Sequence, residues 1–363
     1  MAGAIRIDGS HGEGGGQIVR TALALAAIAG RPVELVKIRA RRKNPGLQAQ
    51  HLTAVTALAQ VAEAEVEGAE LGSTALTFRP RQVRGGDFVL DVGTAGATTL
   101  VFQALVWPLS LGANRGQLVI RGGTHAPWSP PFHYARDVFL PAAAALGLQA
   151  SLELLRWGFY PRGGGGIRGE VQAGTTFKPV ELLSRPAPTT VRGISAVANL
   201  PKTIATRQRD RAAKRLKAEG LAPELEVVEA VGFGQGTFLI LEVPGEPVPA
   251  GFSALGERGK PAEGLADEAV DQLLAFARSG AAVEAHLADQ LLIPMALAAG
   301  RSAMTVGRIT DHLATNAWVI EQLLPAKVSI EGRVGTAGRV TVEGAGERAS
   351  GARPARKAGR AHR

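Results

Sequence analysis

GEGGGQIVR, residues 12–20, places one carboxylate among four glycines and leads directly into the apolar helical pattern of residues 18–28. Glycines let the backbone bend sharply and bring its N–H groups close to a ligand, and a helix start favours bound anions. A phosphate-bearing ligand is therefore one hypothesis for this loop. The alternative is a tight turn between a strand and a helix, because the spacing matches neither the dinucleotide fingerprint nor the P-loop. On the loop alone the two interpretations are balanced.

Two side chains of this loop have the chemistry that a phosphate site needs. Glu13 offers the hard oxygen ligands preferred by a Mg²⁺ or Mn²⁺ ion that travels with nucleotide phosphates. Arg20 falls on the first turns of the following helix and can face the same anion. The basic run KIRARRK, residues 37–43, would border this site, although such a run is usually a solvated surface.

Outward from the loop, one order of strands and helices occurs three times. The order is strand, helix, strand, helix and a closing pair of strands. The first copy covers residues 4–8, 16–28, 32–38, 47–62, 65–67 and 75–78. The second covers 88–92, 97–109, 117–121, 132–146, 149–155 and 166–171. The third covers 281–285, 288–298, 303–306, 311–323, 327–330 and 339–343. We therefore predict an α/β (α+β) fold of three βαβαββ units, with helices packed inward against four-stranded sheets.

A long segment, residues 184–278, separates the second copy from the third and exceeds any ordinary loop in a compact fold. We predict a smaller inserted α/β domain, with strands over 190–197, 225–231 and 238–243 and helices over 204–219 and 266–277. The first of these helices is basic, which is typical of a solvated outer helix; RNA contact is the alternative. The predicted division is 1–183 for repeats one and two, 184–278 for the insert, 279–343 for repeat three and 344–363 for a tail.

Composition restricts the class of protein. A chain of 363 residues, 45% of them hydrophobic, can build two or more structural units. It has no charged-then-apolar leader and no apolar run of membrane-spanning length, so we expect a cytoplasmic protein with no membrane partner. The chain contains no cysteine, which excludes disulfides, cysteine-ligated zinc and thiol nucleophiles. Histidine, with seven copies, is the scarce candidate for covalent catalysis.

The net charge of +9 is concentrated at the end of the chain. Residues 344–363 carry six arginines or lysines against one acid, a net charge of +5. The segment has no apolar period, so we predict a disordered, solvated basic tail. Non-specific RNA contact is the alternative for it.

A series of motifs runs in order through residues 5–343. They are GEGGGQIVRTALAL, RARRKNPGLQAQHLTAV, VEGAELGS, GTAGATTLVFQ, RGGT with PWSPP, GFYPRGGGG, HLADQLLIPMALA and DHLATN. Together they resemble the RNA 3′-terminal phosphate cyclase family, and GFYPRGGG and GEGGGQ are the most specific of them. The resemblance implies three repeated units with a smaller insert, which agrees with the repeats found from periodicity.

The resemblance implies an ATP-dependent ligase that converts a 3′-phosphate at an RNA end to a 2′,3′-cyclic phosphate, releasing AMP and pyrophosphate. In that family a histidine attacks the α-phosphorus of ATP and passes AMP to the RNA 3′-phosphate, and the neighbouring 2′-hydroxyl then displaces AMP. A neutral imidazole is a competent nucleophile, and the last step is intramolecular. RNA with a 3′-terminal phosphate and ATP are the implied partners. Association as a homodimer is left open.

By this resemblance the adenylated histidine is His312 in DHLATN. Without the resemblance, a single histidine at a helix start is more often a surface residue or a neighbour of the cap. Asn316, one turn beyond, would fix the ring tautomer or have a structural role. His51 would contact phosphates or be an ordinary helix histidine. We expect no special role for the remaining candidates His11, His125, His133 and His362.

The ATP pocket and phosphate contacts implied by the resemblance draw on all three repeats. The ATP-binding residues are Gln103, Pro131, His286, Asp289 and Gln290. The residues for phosphates and the RNA end are Arg20, Arg39, Arg42 and His51, because a guanidinium fork suits phosphate better than an ammonium. Glu13 would bind Mg²⁺ or Mn²⁺. Many family members have tyrosine in place of His286, whose imidazole has less area to stack on adenine. The alternative for Asp289 is the cap of helix 288–298.

Some sequence features leave other interpretations open. WGFYPRGGGG, residues 157–166, is consistent with a tight hairpin that needs glycine for its backbone, and we assign it no catalytic role. One alternative function is a catalytically silent relative that binds RNA, although the presence of His312 counts against it. The other is a different enzyme on the same repeated unit, such as an enolpyruvyl transferase, which does not use GEGGGQ or GFYPRGGG.

Overall fold

The structure, a computed structural model, describes residues 3–349. Most of the predicted tail, residues 350–363, lies outside the described residues. Within the described chain, no helix has both the length and the apolar character needed to cross a bilayer.

The elements follow the predicted order closely. The strands are β1 (Ile5–Asp8), β2 (Val33–Val36), β3 (Glu65–Glu67), β4 (Leu76–Arg79), β5 (Gly86–Asp91), β6 (Gly116–Gly122), β7 (Ala150–Arg156), β8 (Gly165–Val171), β9 (Glu181–Leu182), β10 (Thr190–Ala198), β11 (Ala222–Ala230), β12 (Gly236–Val243), β13 (Ala250–Leu255), β14 (Ala299–Val306), β15 (Lys327–Glu331) and β16 (Gly338–Ala345). The α-helices are α1 (Gly16–Ala29), α2 (Ala49–Val61), α3 (Thr98–Leu111), α4 (Phe132–Tyr134), α5 (Leu140–Ala145), α6 (Lys202–Ala218), α7 (Ala262–Ser279), α8 (Ala285–Leu297) and α9 (Asp311–Leu323).

Three of the sheets share one strand order, which confirms the three repeated units. The orders are β1-β2-β4-β3, β5-β6-β8-β7 and β9-β14-β16-β15. In each sheet the first two strands are parallel and the remaining pairs are antiparallel. A parallel pair needs a crossover connection, which α1 and α3 supply in the first two units. The closing antiparallel pair needs only a turn.

Helix α1 is the central helix of this arrangement. Every residue from Ile18 to Ala29 except Arg20 is buried, so the helix is apolar on nearly all sides and must be covered on all of them. It packs against α2, α3 and α9, and one continuous apolar core includes residues of all three repeats. The helix ends where Gly30 adopts the left-handed conformation. Arg20 is thus the one charged side chain of a buried helix.

The third repeat begins before the insert. We predicted its first strand over residues 281–285, and this is wrong: only Val283 makes an isolated bridge there, to Val306, and α8 begins at Ala285. The first strand of the third sheet is instead β9, which pairs in parallel with β14. In the sequence EAHLADQ, Glu284 is the N-cap residue and the following residues form the first turns of α8. The insert therefore interrupts the third repeat just after its first strand.

The insert has its own sheet, with order β11-β10-β12-β13, and its own cluster of buried apolar residues between that sheet and helices α6 and α7. Strand β13 was not predicted, because AGFSAL has small residues and little alternation. Arg185 ties the entry and exit of the insert together, donating to the carbonyl oxygens of Ala282 (3.3 Å) and Val248 (3.1 Å). The division into domains stays a prediction; these features agree with the insert, whereas β9 belongs to repeat three although the prediction gave residues 1–183 to repeats one and two.

Three of the basic side chains of α6 contact acidic side chains of α7. Arg207 makes a two-pronged contact with Glu263 (2.7 and 2.8 Å), and Arg211 does the same with Asp267 (2.8 and 3.0 Å). Arg215 reaches Asp267 (3.0 Å) and Asp271 (2.7 Å). The charge run is thus an element of helix packing within the insert.

Besides shifts of a few residues at element ends, one helix and the tail differ from the predictions. The helix predicted over 132–146 is interrupted between α4 and α5 by a π-helical segment, Ala135–Phe139. The predicted disorder of residues 344–349 is wrong, because β16 continues to Ala345, opposite Ala299, and a 3₁₀ helix follows over Gly346–Ala349. The buried methyl groups of Ala345 and Ala349 hold this end of the described chain to the core, a signal too weak to see in a Gly- and Ala-rich sequence.

Candidate active site

The glycine loop between β1 and α1 packs directly on α9. Gly12 and Gly14 have positive φ angles of 51° and 60°. A Cβ on Gly12 would lie 2.3 Å from Thr315 Oγ1, and the Glu13 N–H donates to that same oxygen at 3.0 Å. Glycine is therefore required both by the backbone conformation and by the close approach of the loop to α9.

His312 stands at the start of α9, against the glycine loop. Thr310 caps the helix by accepting from the Leu313 N–H. The ring Nδ1 lies 2.8 Å from Gln17 Oε1 and 2.8 Å from Glu13 Oε2, two acceptors, so Nδ1 carries the proton. The side chain is half-exposed, and Nε2 keeps the unshared electron pair.

The surroundings keep His312 neutral. Burial lowers the pKa of His312 below the ordinary imidazole value, and the charges of Arg20 and Arg42 act in the same direction. Asp289 opposes them by favouring the charged ring. A neutral ring with a free Nε2 at neutral pH is the form that can act as a nucleophile.

Asp289 and Asn316 join the three helices that surround the ring. Gln17 Nε2 donates to Asp289 Oδ2 (2.7 Å), so one amide links Asp289 to His312. Asn316 donates to the Asp289 carbonyl oxygen (2.8 Å) and accepts from Thr21 Oγ1 (2.8 Å). Asn316 therefore does not fix the tautomer of His312, because its amide forms hydrogen bonds between helices.

Asp289 does not cap α8, since Glu284 has that role and Asp289 lies inside the helix. Burial raises the pKa of Asp289 to about 6.

Seven of the predicted site residues line one cavity of about 950 Å³. They are Arg20, Gln103, Pro131, His286, Asp289, Gln290 and His312. Gln103 Nε2 donates to Gln290 Oε1 (2.8 Å), and Gln290 Nε2 donates to the His286 carbonyl oxygen (2.9 Å). The insert also contributes to the lining, with the loop that precedes α7. The cavity is thus bounded by the repeats and by the insert together.

His51 and Arg20 meet beside the start of α1. The Gln48 N–H donates to His51 Nδ1 (3.1 Å), which leaves the ring proton on Nε2. A Cβ on Gly16 would lie 2.1 Å from His51 Nε2, so glycine at this position makes room for the ring. Burial, together with Arg20 and Arg39, lowers the pKa of His51 to about 3. Burial also lowers the pKa of Arg20 to about 10, where it still carries its charge at neutral pH.

The two other predicted arginines have partners in the protein. Arg39 has a positive φ of 53°, and its Nη1 donates to the carbonyl oxygens of Asn44 (2.6 Å) and Gly46 (2.9 Å), which closes its own loop. Arg42 contacts the carboxylate of Glu13 and donates to the Glu13 carbonyl oxygen (3.1 Å). Of the three arginines, Arg20 lines the cavity and the other two lie outside it.

Glu13 has the chemistry of a single carboxylate ligand for a cation. Its Oε1 contacts Arg42, whereas its buried Oε2 lies 2.8 Å from Nδ1 of His312 and has no second partner among the described residues. Residues 3–349 contain no cluster of three or more His, Asp or Glu side chains placed to hold a metal. Mg²⁺ commonly binds one or two carboxylates together with substrate phosphates, so the second lone pair of this carboxylate oxygen fits an ion that arrives with a nucleotide.

Comparison with known proteins decides the family. A family model described as RNA 3′-terminal phosphate cyclase matches residues 11–330. The chain belongs to the RNA 3′-terminal phosphate cyclase family. It is 48% identical over 336 residues to a relative of that name in Methylococcus capsulatus, which covers 90% of this chain and 92% of the relative. A cyclase-family relative in Pyrobaculum neutrophilum is 44% identical over 346 residues, covering 94% and 99% of the two chains. Members of this family are ligases, so the chain is an enzyme.

The family motif GFYPRGGGG connects β7 to β8 in a hairpin, as the tight-turn interpretation allowed, and the Gly163 N–H donates to the Phe159 carbonyl oxygen (2.7 Å). Gly163 and Gly164 have positive φ angles of 62° and 70°. A Cβ on Gly163 would lie 2.8 Å from the backbone of Ala95, and one on Gly164 would lie 2.8 Å from the Phe233 ring of the insert. The hairpin therefore packs between the second repeat and the insert, and its Tyr160 lines the cavity.

The sequence interpretation missed Gln17, which contacts both His312 and Asp289. The signal was present, because Gln17, Arg20 and Thr21 are spaced to share one face of a helix. Thr315 was missed as well. Its oxygen accepts from the glycine loop across a separation of about three hundred residues, which no local pattern reveals.

Proposed function

We propose that this cyclase-family enzyme uses ATP to convert an RNA 3′-terminal phosphate to a 2′,3′-cyclic phosphate through a covalent His312–AMP intermediate. The observation that carries the proposal is the geometry of His312. Its Nδ1 is held by Gln17 and Glu13, and its ring lines the same cavity as the proposed ATP-binding residues. The names of the relatives supply the RNA substrate.

In the proposed first step, Nε2 of His312 bonds to the α-phosphorus of ATP. The bond between that phosphorus and the bridging oxygen breaks, and pyrophosphate leaves with the electron pair. The ring gains positive charge, because Nδ1 keeps its proton. Glu13 Oε2, at 2.8 Å from Nδ1, stabilises this charge, and Arg20 balances the negative charge of the phosphates.

In the proposed second step, an oxygen of the RNA 3′-phosphate bonds to the phosphorus of the enzyme-bound AMP. The phosphorus–nitrogen bond breaks and its electron pair returns to Nε2. The RNA 2′-oxygen then bonds to the 3′-phosphorus, its proton passes to solvent, and AMP leaves. This last step joins two groups of one nucleotide, so their proximity supplies much of the acceleration.

Glu13 is the residue that would bind Mg²⁺ or Mn²⁺, through its buried Oε2. Such an ion, when bound, would neutralise phosphate charge. The same oxygen lies beside His312. We therefore expect Glu13→Gln to bind the metal more weakly, so that adenylation needs more divalent ion, and to stabilise the charged ring less. We also keep a cytoplasmic location as a proposal, and leave homodimer formation to be tested by analytical ultracentrifugation.

The proposal is tested by incubating the protein with α-labelled ATP and Mg²⁺ or Mn²⁺, without RNA. We expect acid-labile label on the protein, which His312→Ala abolishes. The matched control is His11→Ala, because the His11 ring is exposed and stacks on Trp318 with ring centres 3.9 Å apart. Equal labelling of His312→Ala and the unmodified protein would show that the nucleophile is misassigned.

A further inference from the structure

Two exposed aromatic side chains line the cavity at its outer part. Among the large hydrophobic residues that are exposed in the described chain, only Trp128 (97% exposed) and Tyr160 (60%) are also lining residues. We call this pair the aromatic rim. Neither side chain has a part in the chemistry proposed for His312.

Trp128 is held in an unusual position. Its φ of 57° is in the left-handed region, which bulky residues rarely adopt. The turn that carries it is closed by Ser129 Oγ, which donates to the Ala126 carbonyl oxygen at 2.8 Å. A strained backbone that holds an indole in solvent is more typical of a binding residue than of a structural one.

The two rings rise from neighbouring loops on a rigid base. His125 and Phe159 form a β-bridge, so Trp128 and Tyr160 follow closely on paired segments. His125 is buried between Trp157 and Phe159, with ring centres 4.4 and 5.1 Å away. It is also hydrogen-bonded to His133 (3.1 Å). The aromatic rim therefore does not depend on a flexible loop for its placement.

Positive charge lies along the same cavity. Arg258, on the loop of the insert that precedes α7, lines the cavity with an exposed side chain. Within residues 3–349 it makes no ion pair, unlike its neighbour Lys260, which contacts Glu268. An exposed aromatic pair and an unpaired arginine that line one cavity are the combination that binds single-stranded nucleic acid, through base stacking and phosphate contact.

We propose that the aromatic rim stacks on the bases next to the 3′ end of a single-stranded RNA, while Arg258 contacts its backbone phosphate. This proposal rests on the proposed function. The cavity volume of about 950 Å³ is at the upper end of the range for one small ligand, which leaves room for a nucleotide and an RNA end. The RNA must also continue outward into solvent, which agrees with the exposure of Trp128. Every base has a stacking face, so this grip would tolerate any sequence.

The test compares Trp128→Ala and Tyr160→Ala with the control Leu71→Ala, an exposed apolar residue (68%) away from the cavity. Protein–AMP formation without RNA is measured first. The KM for cyclisation is then measured with a 3′-phosphorylated oligonucleotide and with the same oligonucleotide made abasic at its terminal two positions. We expect unchanged adenylation and a KM for the normal RNA raised about tenfold or more by Trp128→Ala. On the abasic RNA we expect little difference between variants.

Other outcomes overturn the proposal in distinct ways. An equal rise in KM on normal and abasic RNA would show that Trp128 does not stack on bases. A raised KM for ATP in adenylation would show that it contacts the nucleotide instead. If the unmodified protein formed no AMP adduct, the proposed function would fail. Fluorescence polarisation with the same two oligonucleotides would then still decide whether Trp128 binds bases.

Discussion

Helix α6 carries four arginines and helix α1 carries one, and the surroundings of the two groups are opposite. In α6, Arg207 is exposed and Arg211 and Arg215 are partly exposed, and each meets one or more carboxylates of α7. In α1, Arg20 lies at the edge of the core and lines the cavity. Within residues 3–349 it forms no ion pair, and burial lowers its pKa. The density of charge in the sequence is higher in α6, yet α1 holds the arginine that is available to an anion.

The difference shows that whether an arginine can bind an anion depends on its ion-pair partners and its burial, and less on how many arginines the helix contains. A surface ion pair contributes little, because its charges are already solvated and its side chains lose freedom. A buried cation without a carboxylate costs free energy, and a bound anion recovers that cost. Arg42 is intermediate, since it pairs with Glu13 beside the proposed site.

The largest effect on adenylation is expected from substitution of Arg20, compared with substitution of an arginine of α6. Arg20→Ala should slow protein–AMP formation about a hundredfold or more, because a preorganised cation facing the phosphates is lost. Arg20→Lys should recover part of the rate, since an ammonium keeps the charge and loses the fork. Arg211→Ala should leave the rate unchanged. Single-turnover adenylation of the three variants measures this difference. Equal losses of rate in Arg20→Ala and Arg211→Ala would contradict it.

A smaller effect is expected at Gln17, which positions His312. Gln17→Ala should lower the rate constant of adenylation about tenfold to a hundredfold with little change in KM for ATP, because the ring orientation is lost. Gln17→Glu keeps an acceptor for Nδ1 but places a carboxylate oxygen against Asp289 in place of the amide donor, so it should recover only part of the rate. Its carboxylate would also raise the pKa of His312 and move the acid limb of the pH–rate profile to higher pH. An unaltered pH profile in Gln17→Glu would contradict direct contact with the ring.

A third prediction compares how stability depends on pH at His51, beside Arg20, and at the ion pairs between α6 and α7. Unfolded His51 takes up a proton near pH 6.5 and folded His51 only near pH 3, so its contribution to stability is complete above 6.5 and is lost as the pH falls toward 3. The loss is about 1 kcal/mol per pH unit for one such histidine. The pKa of Asp267 is lowered by Arg211, so the pairing of α6 with α7 weakens only below the ordinary aspartate value of 3.8.

Urea unfolding between pH 7 and 4.5 measures this difference. The slope of stability against pH should be shallower in His51→Gln than in the unmodified protein, and unchanged in Asp267→Asn. His125 and His133, whose pKa values burial also lowers, should keep part of the slope in every variant. A slope that responded to Asp267→Asn alone would reverse the assignment.

The smallest effect is expected on the stability of the insert. Arg211→Gln should lower Tm by at most about 2 °C in low salt, because exposed ion pairs contribute little. In 1 M salt the difference should vanish, since the charges are screened. Thermal unfolding at both salt concentrations measures it. A large decrease that persists in high salt would mean that α6 depends on these pairs for its packing.

The repeated fold could be predicted from periodicity, because α1 and its counterparts have long apolar patterns that tertiary contacts reinforce. The first strand of the third repeat could not. β9 has two residues, and the insert separates it from the rest of its unit by about a hundred positions. Residues 281–285 are mostly apolar and were therefore predicted as the first strand. In the structure Glu284 caps α8 at this position instead. A strand that short is defined by its partner and not by its own sequence.

The candidate site was predictable in its parts and not in its contacts. The glycines and the helix start suggested an anion at the loop as one of two balanced interpretations, and only the resemblance singled out His312. Asn316 was expected beside the ring on helix spacing alone, but the amide that reaches Nδ1 comes from Gln17 on a different helix. Contacts between α1, α8 and α9 depend on how three helices pack, and spacing within one helix does not report that.

We propose above that Nε2 of His312 becomes bonded to AMP. Peptide mapping by mass spectrometry, after reaction with ATP and a divalent ion and digestion at alkaline pH, locates this bond. We expect one AMP adduct, on the peptide that contains His312, stable in base and lost in acid. An adduct on another side chain, or none on a protein that still cyclises RNA ends, would contradict it.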